Sequence, residues 1–111
     1  MEEIIVSNHA NSRMRERIGI NKKSCQRLAE KAYIDGISSI DASGELQNFM
    51  NYIANKHHNN AFVRLYGEKV FIYAKEFDMA DGLQKMVLVT VIQIPNNLTK
   101  KNIALQKKKI S

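Results

Sequence analysis

The stretch AFVRLYGEKVFIYAK, residues 61–75, constrains the fold more than any other part of the chain. Apolar and polar residues alternate on both sides of Gly67-Glu68, and a period of two is the mark of β-strands. A two-residue connection that begins with glycine predicts a hairpin closed by a type II′ turn. The turn fixes the register, because a slip of one residue would send every side chain to the other face. Tyr66 then opposes Lys69, Leu65 opposes Val70, Arg64 opposes Phe71, Val63 opposes Ile72 and Phe62 opposes Tyr73. One face is aliphatic (Val63, Leu65, Val70, Ile72, Ala74) and is expected to pack on helices such as those carrying Met14, Leu28 and Ile53. The other face carries Phe62, Arg64, Tyr66, Lys69, Phe71, Tyr73 and Lys75. Rings interleaved with cations suit RNA, since rings stack on bases and cations take phosphates. The same face can instead be covered by a dimer partner or by the C-terminal segment, which offers Ile103, Ala104, Leu105 and Ile110.

Upstream of the hairpin the apolar spacing is helical. A short apolar run from Glu3 to Val6 predicts a strand, and Ser7 or Asn8 then caps a first helix that runs to about Ile18, with Gly19 ending it. Asn21 caps a second helix whose apolar positions are Cys25, Leu28, Ala29, Ala32 and Tyr33, and Gly36 stops it. The polar stretch SSIDASGE leads into a third helix marked by Leu46, Phe49, Met50 and Ile53, with His57 and His58 near its end. Downstream, MVLVTVIQI reads as a strand buried on both faces and ended by Pro95. The expected fold class is α+β: an N-terminal strand and three helices packed on one face of an approximately four-stranded, mainly antiparallel sheet. Residues 1–95 form that domain and residues 96–111 a basic C-terminal tail, whose removal after about Asn97 is expected to leave the fold intact.

Charge is unevenly spread. The chain of 111 residues carries a net charge of +6. Residues 96–111 hold five lysines and no acid, so the other 95 residues are close to neutral, with 12 basic and 11 acidic side chains. Such a tail is either solvated and disordered or adds salt-dependent attraction to nucleic acid through Lys100, Lys101, Lys107, Lys108 and Lys109.

The first helix, HANSRMRER, concentrates titratable groups. On a wheel of about 100° per residue, Ala10, Met14 and Ile18 form the buried stripe, while His9, Arg13 and Arg17 run side by side along its border. Glu16 stands three residues from Arg13, a pairing distance on a helix. The row is either a solvated flank or one wall of a phosphate-binding groove whose other wall includes Arg64. Guanidiniums that converge repel one another unless an anion lies between them. A histidine beside them adds a group that titrates near neutral pH.

Other chemistry is not suggested. There is no glycine-rich phosphate loop and no CxxC or HExxH spacing, so no metal or other cofactor is expected. Cys25 lies on an apolar stripe and reads as inert core. No apolar run approaches the ~20 residues of a membrane span. The opening MEEIIV has acids where a secretory signal would be basic. A lone cysteine suits a reducing compartment, so a bacterial-type cytoplasm is the expected address.

The opening strand followed by His-Ala-x-x-Arg-Met-x-x-Arg (His9, Ala10, Arg13, Met14, Arg17) resembles RelE-like proteins of the barnase–EndoU–colicin–RelE superfamily. More narrowly, it resembles small bacterial and mobile-element domains related to them. VRLYGEKVFIYAK and LVTVIQIP are similar to their terminal antiparallel sheet, and the resemblance spans roughly residues 4–95. It implies a metal-independent ribonuclease of toxin type that cleaves RNA by attack of the 2′-OH, with an antitoxin or other protein as partner and a monomeric or homodimeric state. By position His9, Arg13 and Arg17 are the matching residues. In that chemistry His9 serves as base or acid, Arg13, Arg17 and Arg64 stabilise the phosphorane, and Tyr66 or Tyr73 orients the phosphate or gives a proton. Tyr66, Lys69, Phe71 and Lys75 complete the RNA surface. The alternative is a non-catalytic binding protein of a mobile element, acting on a nucleic acid or a protein, for example an inhibitor of host defence. The chain departs from typical toxins in having three helices before the hairpin and no compact basic cluster on its last strand.

Overall fold

A computed structural model describes residues 4–57 and 61–110. In chain order the elements are β1 (Ile4–Val6), α1 (Asn8–Arg17), α2 (Lys22–Asp35), α3 (Gly44–His57), β2 (Ala61–Tyr66), β3 (Lys69–Asp78), β4 (Leu83–Gln93) and α4 (Asn96–Ile110). The class is α+β, with a four-stranded sheet of order β1-β4-β3-β2. β1 runs parallel to β4, and the other two pairings are antiparallel. His58, Asn59 and Asn60 lie outside the described residues, as does the side chain of His57.

The β2–β3 register is the one the turn dictates, from Tyr66 opposite Lys69 to Phe62 opposite Tyr73. Gly67 has φ of 62°, and among the described residues only glycines have a positive φ, so in this turn the positive angle sits at the first position alone, as type II′ requires. β4 is less regular. Met86 and Leu88 face α1 and α2, and so does Val91, an odd number of residues further on. The step is made by a β-bulge: Ile72 pairs with Thr90 and Tyr73 with Leu88, leaving Val89 unpaired.

Helices cover both faces of the sheet, not one. The aliphatic face of the hairpin meets α3 and α4, with Val63, Leu65, Val70 and Ile72 packed among Leu46, Met50, Ile53 and Leu98. The aromatic face, expected to be open or covered by the C-terminal segment or a partner, lies under α1 and α2: Phe71 and Tyr73 pack with Met14, Cys25, Ala29 and Ala32. Met14 and Leu28 therefore sit on the opposite side from the aliphatic strand residues. The reason is complementarity of size. Small residues on the inner faces of α1 and α2 let these helices approach close to large rings.

The segment from Asn96 is helical and belongs to this packing. Leu98 and Asn102 are buried, and Asn102 Nδ2 donates to the Gly67 carbonyl at 2.8 Å. Leu105 packs beside them against the aliphatic cluster. The same helix thus carries lysines outward and core residues inward. Ile37, after α2, pairs with Leu65 through two backbone hydrogen bonds and so covers part of the outer edge of β2. Gly36 makes that approach possible: a Cβ there would stand 2.3 Å from the Ala32 carbonyl oxygen and 3.1 Å from Arg64 Cβ.

Candidate nucleic-acid interface

The bulge in β4 positions α1. Ser7 Oγ accepts from the Ala10 amide at 3.0 Å, which caps the helix, and donates to the Val89 carbonyl at 3.1 Å. The Ser7 amide donates to the Leu88 carbonyl at 3.1 Å. At the other end Arg17 Nη1 donates to the Val91 carbonyl at 3.4 Å. Both ends of α1 are thereby tied to β4, with Ala10 and Met14 facing inward.

On the outer flank, Arg13 Nε points at His9 Nε2 at 3.5 Å, and Arg13 Nη1 lies 3.5 Å from Glu16 Oε2. His9 and Arg17 are exposed and Arg13 is partly so. An exposed pair of this length contributes little to stability, so Glu16 does not lock Arg13. The three side chains predicted to stand in a row do so, with Arg13 touching its histidine neighbour.

Arg64 is not part of this row. Its Nε donates to the Tyr33 carbonyl at 3.2 Å, its Nη1 to the Val63 carbonyl at 3.1 Å, and its guanidinium lies 4.9 Å from the centre of the Tyr33 ring. It satisfies a carbonyl in the last turn of α2, a structural task. Val91, Phe71 and Arg64 occupy one cross-strand row, so Arg64 stands two strand spacings, roughly 10 Å, from the carbonyl that Arg17 reaches. Between them Phe71 is buried under the helices.

The aromatic residues of the predicted surface are core. Tyr73 is fully buried, donates its hydroxyl to the Ala29 carbonyl at 2.8 Å and meets Tyr33 edge-on with ring centres 5.2 Å apart. Burial pushes its hydroxyl pKa well above the usual value of about 10, against the opposing charge of Arg64. Neither Tyr73 nor Phe71 can meet a base or a scissile phosphate. Tyr66 is half-buried against the same cluster. Lys69 is hydrogen-bonded to Gln93, and Lys75 is exposed, its ammonium 6.0 Å from the centre of the Phe62 ring.

Lys100, Lys101, Lys107 and Lys108 are exposed on α4, with Lys101 3.6 Å from Glu45. The side chain of Lys109 lies outside the described residues. Because α4 packs on the face opposite α1, these lysines form a second cationic region rather than an extension of the first. Residue spacing did not reveal the part played by Ser7 and Val89, which depends on the β4 bulge. Its one sequence signal is the Ser7 cap. Among the described residues no group of three or more His, Cys, Asp or Glu could hold a metal ion, and no helix is long and apolar enough to cross a membrane. No protein family matches the chain, and no curated protein or solved structure matches it either.

Proposed function

We propose that the protein binds RNA through the outer flank of α1, with Arg13 and Arg17 taking phosphates beside His9. The observation that carries this reading is the exposed row itself: two guanidiniums and an imidazole on one helix flank, with only Glu16 among them as an acid. The resemblance to RelE-like proteins supports it, since the matching residues of HAxxRMxxR are those of the row. Attraction to a polyanion gains further from the lysines of α4.

Metal-independent cleavage is a second reading, favoured by the contact between Arg13 and His9, which sets a titratable group beside a phosphate-binding one. Transesterification is best served by both a base and an acid. With Tyr73 spent on the core, the acid–base groups left at the row are His9 and Glu16, and Glu16 lies 3.5 Å from the Arg13 guanidinium, so binding is the leading assignment. One experiment separates the two: labelled single-stranded RNA is incubated with the protein in chelator, and both complex and products are measured. Binding should weaken with salt, and Arg13→Gln with Arg17→Gln should lower the slope of log K against log salt by about 1.4, two contacts' worth. If products form, His9→Ala should slow them about 100-fold. Absence of any complex at low salt would overturn both readings.

A further inference from the structure

A second cationic row, parallel in logic to that of α1, lies on α2. Lys23, Arg27 and Lys31 recur at i, i+4 and i+8 and are all exposed, while Cys25, Ala29 and Ala32 on the opposite side are buried. Successive members are about 6 Å apart along the helix axis, close to the separation of successive phosphates on one nucleic-acid strand. Like charges at i,i+4 destabilise a helix by about 0.2–0.5 kcal/mol per pair. Glu30, the one acid within the row, is engaged by Gln26 Nε2 at 2.9 Å. Asp35, one turn beyond Lys31, makes no ion pair with it, and among the described residues no carboxylate pairs with Lys23, Arg27 or Lys31. Arg15 is exposed in the last turn of α1. From Arg13 to Lys31 the chain has seven cations and two acids.

We infer that the outer face of α2 is a second phosphate-tracking site, on which Lys23, Arg27 and Lys31 bind successive phosphates of the RNA strand held by α1. The inference rests on the RNA-binding reading and extends it from a point contact to a path. α1 and α2 cover the same face of the sheet, and members of both rows are exposed to solvent. Contact there is with backbone alone, because the rings that could stack on bases lie beneath that layer. Binding along this path is therefore insensitive to sequence and steeply dependent on salt. The apolar face of α2 is committed to the core, which removes the inserting surface that a membrane-bound amphipathic helix needs.

The test compares wild type, K23Q/R27Q/K31Q and R13Q/R17Q by fluorescence anisotropy on labelled single-stranded RNA of mixed sequence, over a salt series. Glutamine keeps the helix propensity of the residues it replaces, and equal melting curves establish that the variants are folded. The triple variant should lose about 2 from the salt slope and at least about tenfold in affinity at low salt. An unchanged slope and affinity in the triple variant, with weakening in R13Q/R17Q, would overturn the α2 site and leave the α1 reading standing. Wild type that fails to bind RNA would take down both. Phosphatidylserine vesicles serve as a second probe, and binding to them at the expense of RNA would overturn the assignment of the row to a nucleic-acid strand.

Discussion

The two faces of the β2–β3 hairpin are both buried, but by opposite means. On the aliphatic face, medium-sized strand residues (Val63, Leu65, Val70, Ile72) meet large helical ones (Leu46, Met50, Ile53). On the other face, the large rings of Phe71 and Tyr73 meet Ala10, Cys25, Ala29 and Ala32. The contrast shows how one alternating strand pair can serve two cores. It also shows where two of the three cations interleaved with the rings are engaged: Arg64 is drawn into the C-terminal turn of α2, and Lys69 onto Gln93, while Lys75 is exposed near the end of β3.

The largest expected effect comes from removing the cover of the aliphatic face. Truncation after Asn97 deletes Leu98, Asn102 and Leu105 and exposes Ile94 and Ile72. Losing one buried leucine costs about 2–5 kcal/mol, against a total stability of about 5–15 kcal/mol for a domain of this kind. The truncated chain should lose its cooperative thermal transition by circular dichroism. A melting temperature within a few degrees of wild type would show that the aliphatic face stands without α4, and the comparison of two helix-covered faces would fail.

Paired substitutions sharpen it further. Leu65→Ala should cost about 2–5 kcal/mol, since it leaves a cavity among large neighbours. On the aromatic face the sensitive change is enlargement: Ala29→Leu forces the helix off Tyr73 and should cost about 1–3 kcal/mol. Met50→Leu, volume-conserving on the aliphatic side, should cost less than about 1.5 kcal/mol. Urea titrations measure all three. If Ala29→Leu proves as mild as Met50→Leu, α2 is not seated closely on the rings.

Much of this architecture was legible in the residues, for physical reasons that also mark where legibility ends. Turn chemistry at Gly67-Glu68 sets the hairpin register, and the Ser7 and Asn21 caps set the helix starts, because each is a local interaction. Which hairpin face is covered is not local. An aromatic, cation-bearing face reads as a surface until the alanines of α1 and α2 are recognised as room for rings. α4 was hidden because its inward stripe, Leu98, Asn102 and Leu105, has a polar residue at its centre, and Asn102 is tolerated there only because the Gly67 carbonyl is within reach. The bulge at Val89 leaves no mark in MVLVTVIQI, where both parities are apolar. Of the site, the His9–Arg13–Arg17 row followed from helical spacing, and the same rule applied to α2 yields Lys23, Arg27 and Lys31. The partners of Arg64 and Tyr73 required the tertiary fold.

The smallest effect belongs to the one polar contact within the aromatic face. Tyr73→Phe keeps the ring and removes the hydroxyl that donates to the Ala29 carbonyl. The net cost should be about 1 kcal/mol at neutral pH. This cost should depend on pH in a defined direction. The folded state holds the Tyr73 proton more tightly than the unfolded state, where the pKa is about 10, because burial opposes the phenolate. Below pH 10 both states are protonated and the contribution of the contact is fully present. Above it the unfolded chain releases a proton that the folded chain retains, so unfolding becomes easier as pH rises, by up to about 1.4 kcal/mol per pH unit. The phenylalanine variant lacks that proton, and the remaining tyrosines are common to both proteins. The wild-type advantage seen at pH 8 should therefore shrink above pH 10 and reverse within about one further unit. Denaturant titrations of both proteins at pH 8 and pH 11 measure it. An advantage that stays constant would mean that Tyr73 ionises as freely in the fold as out of it, and the aromatic face would then be open to solvent.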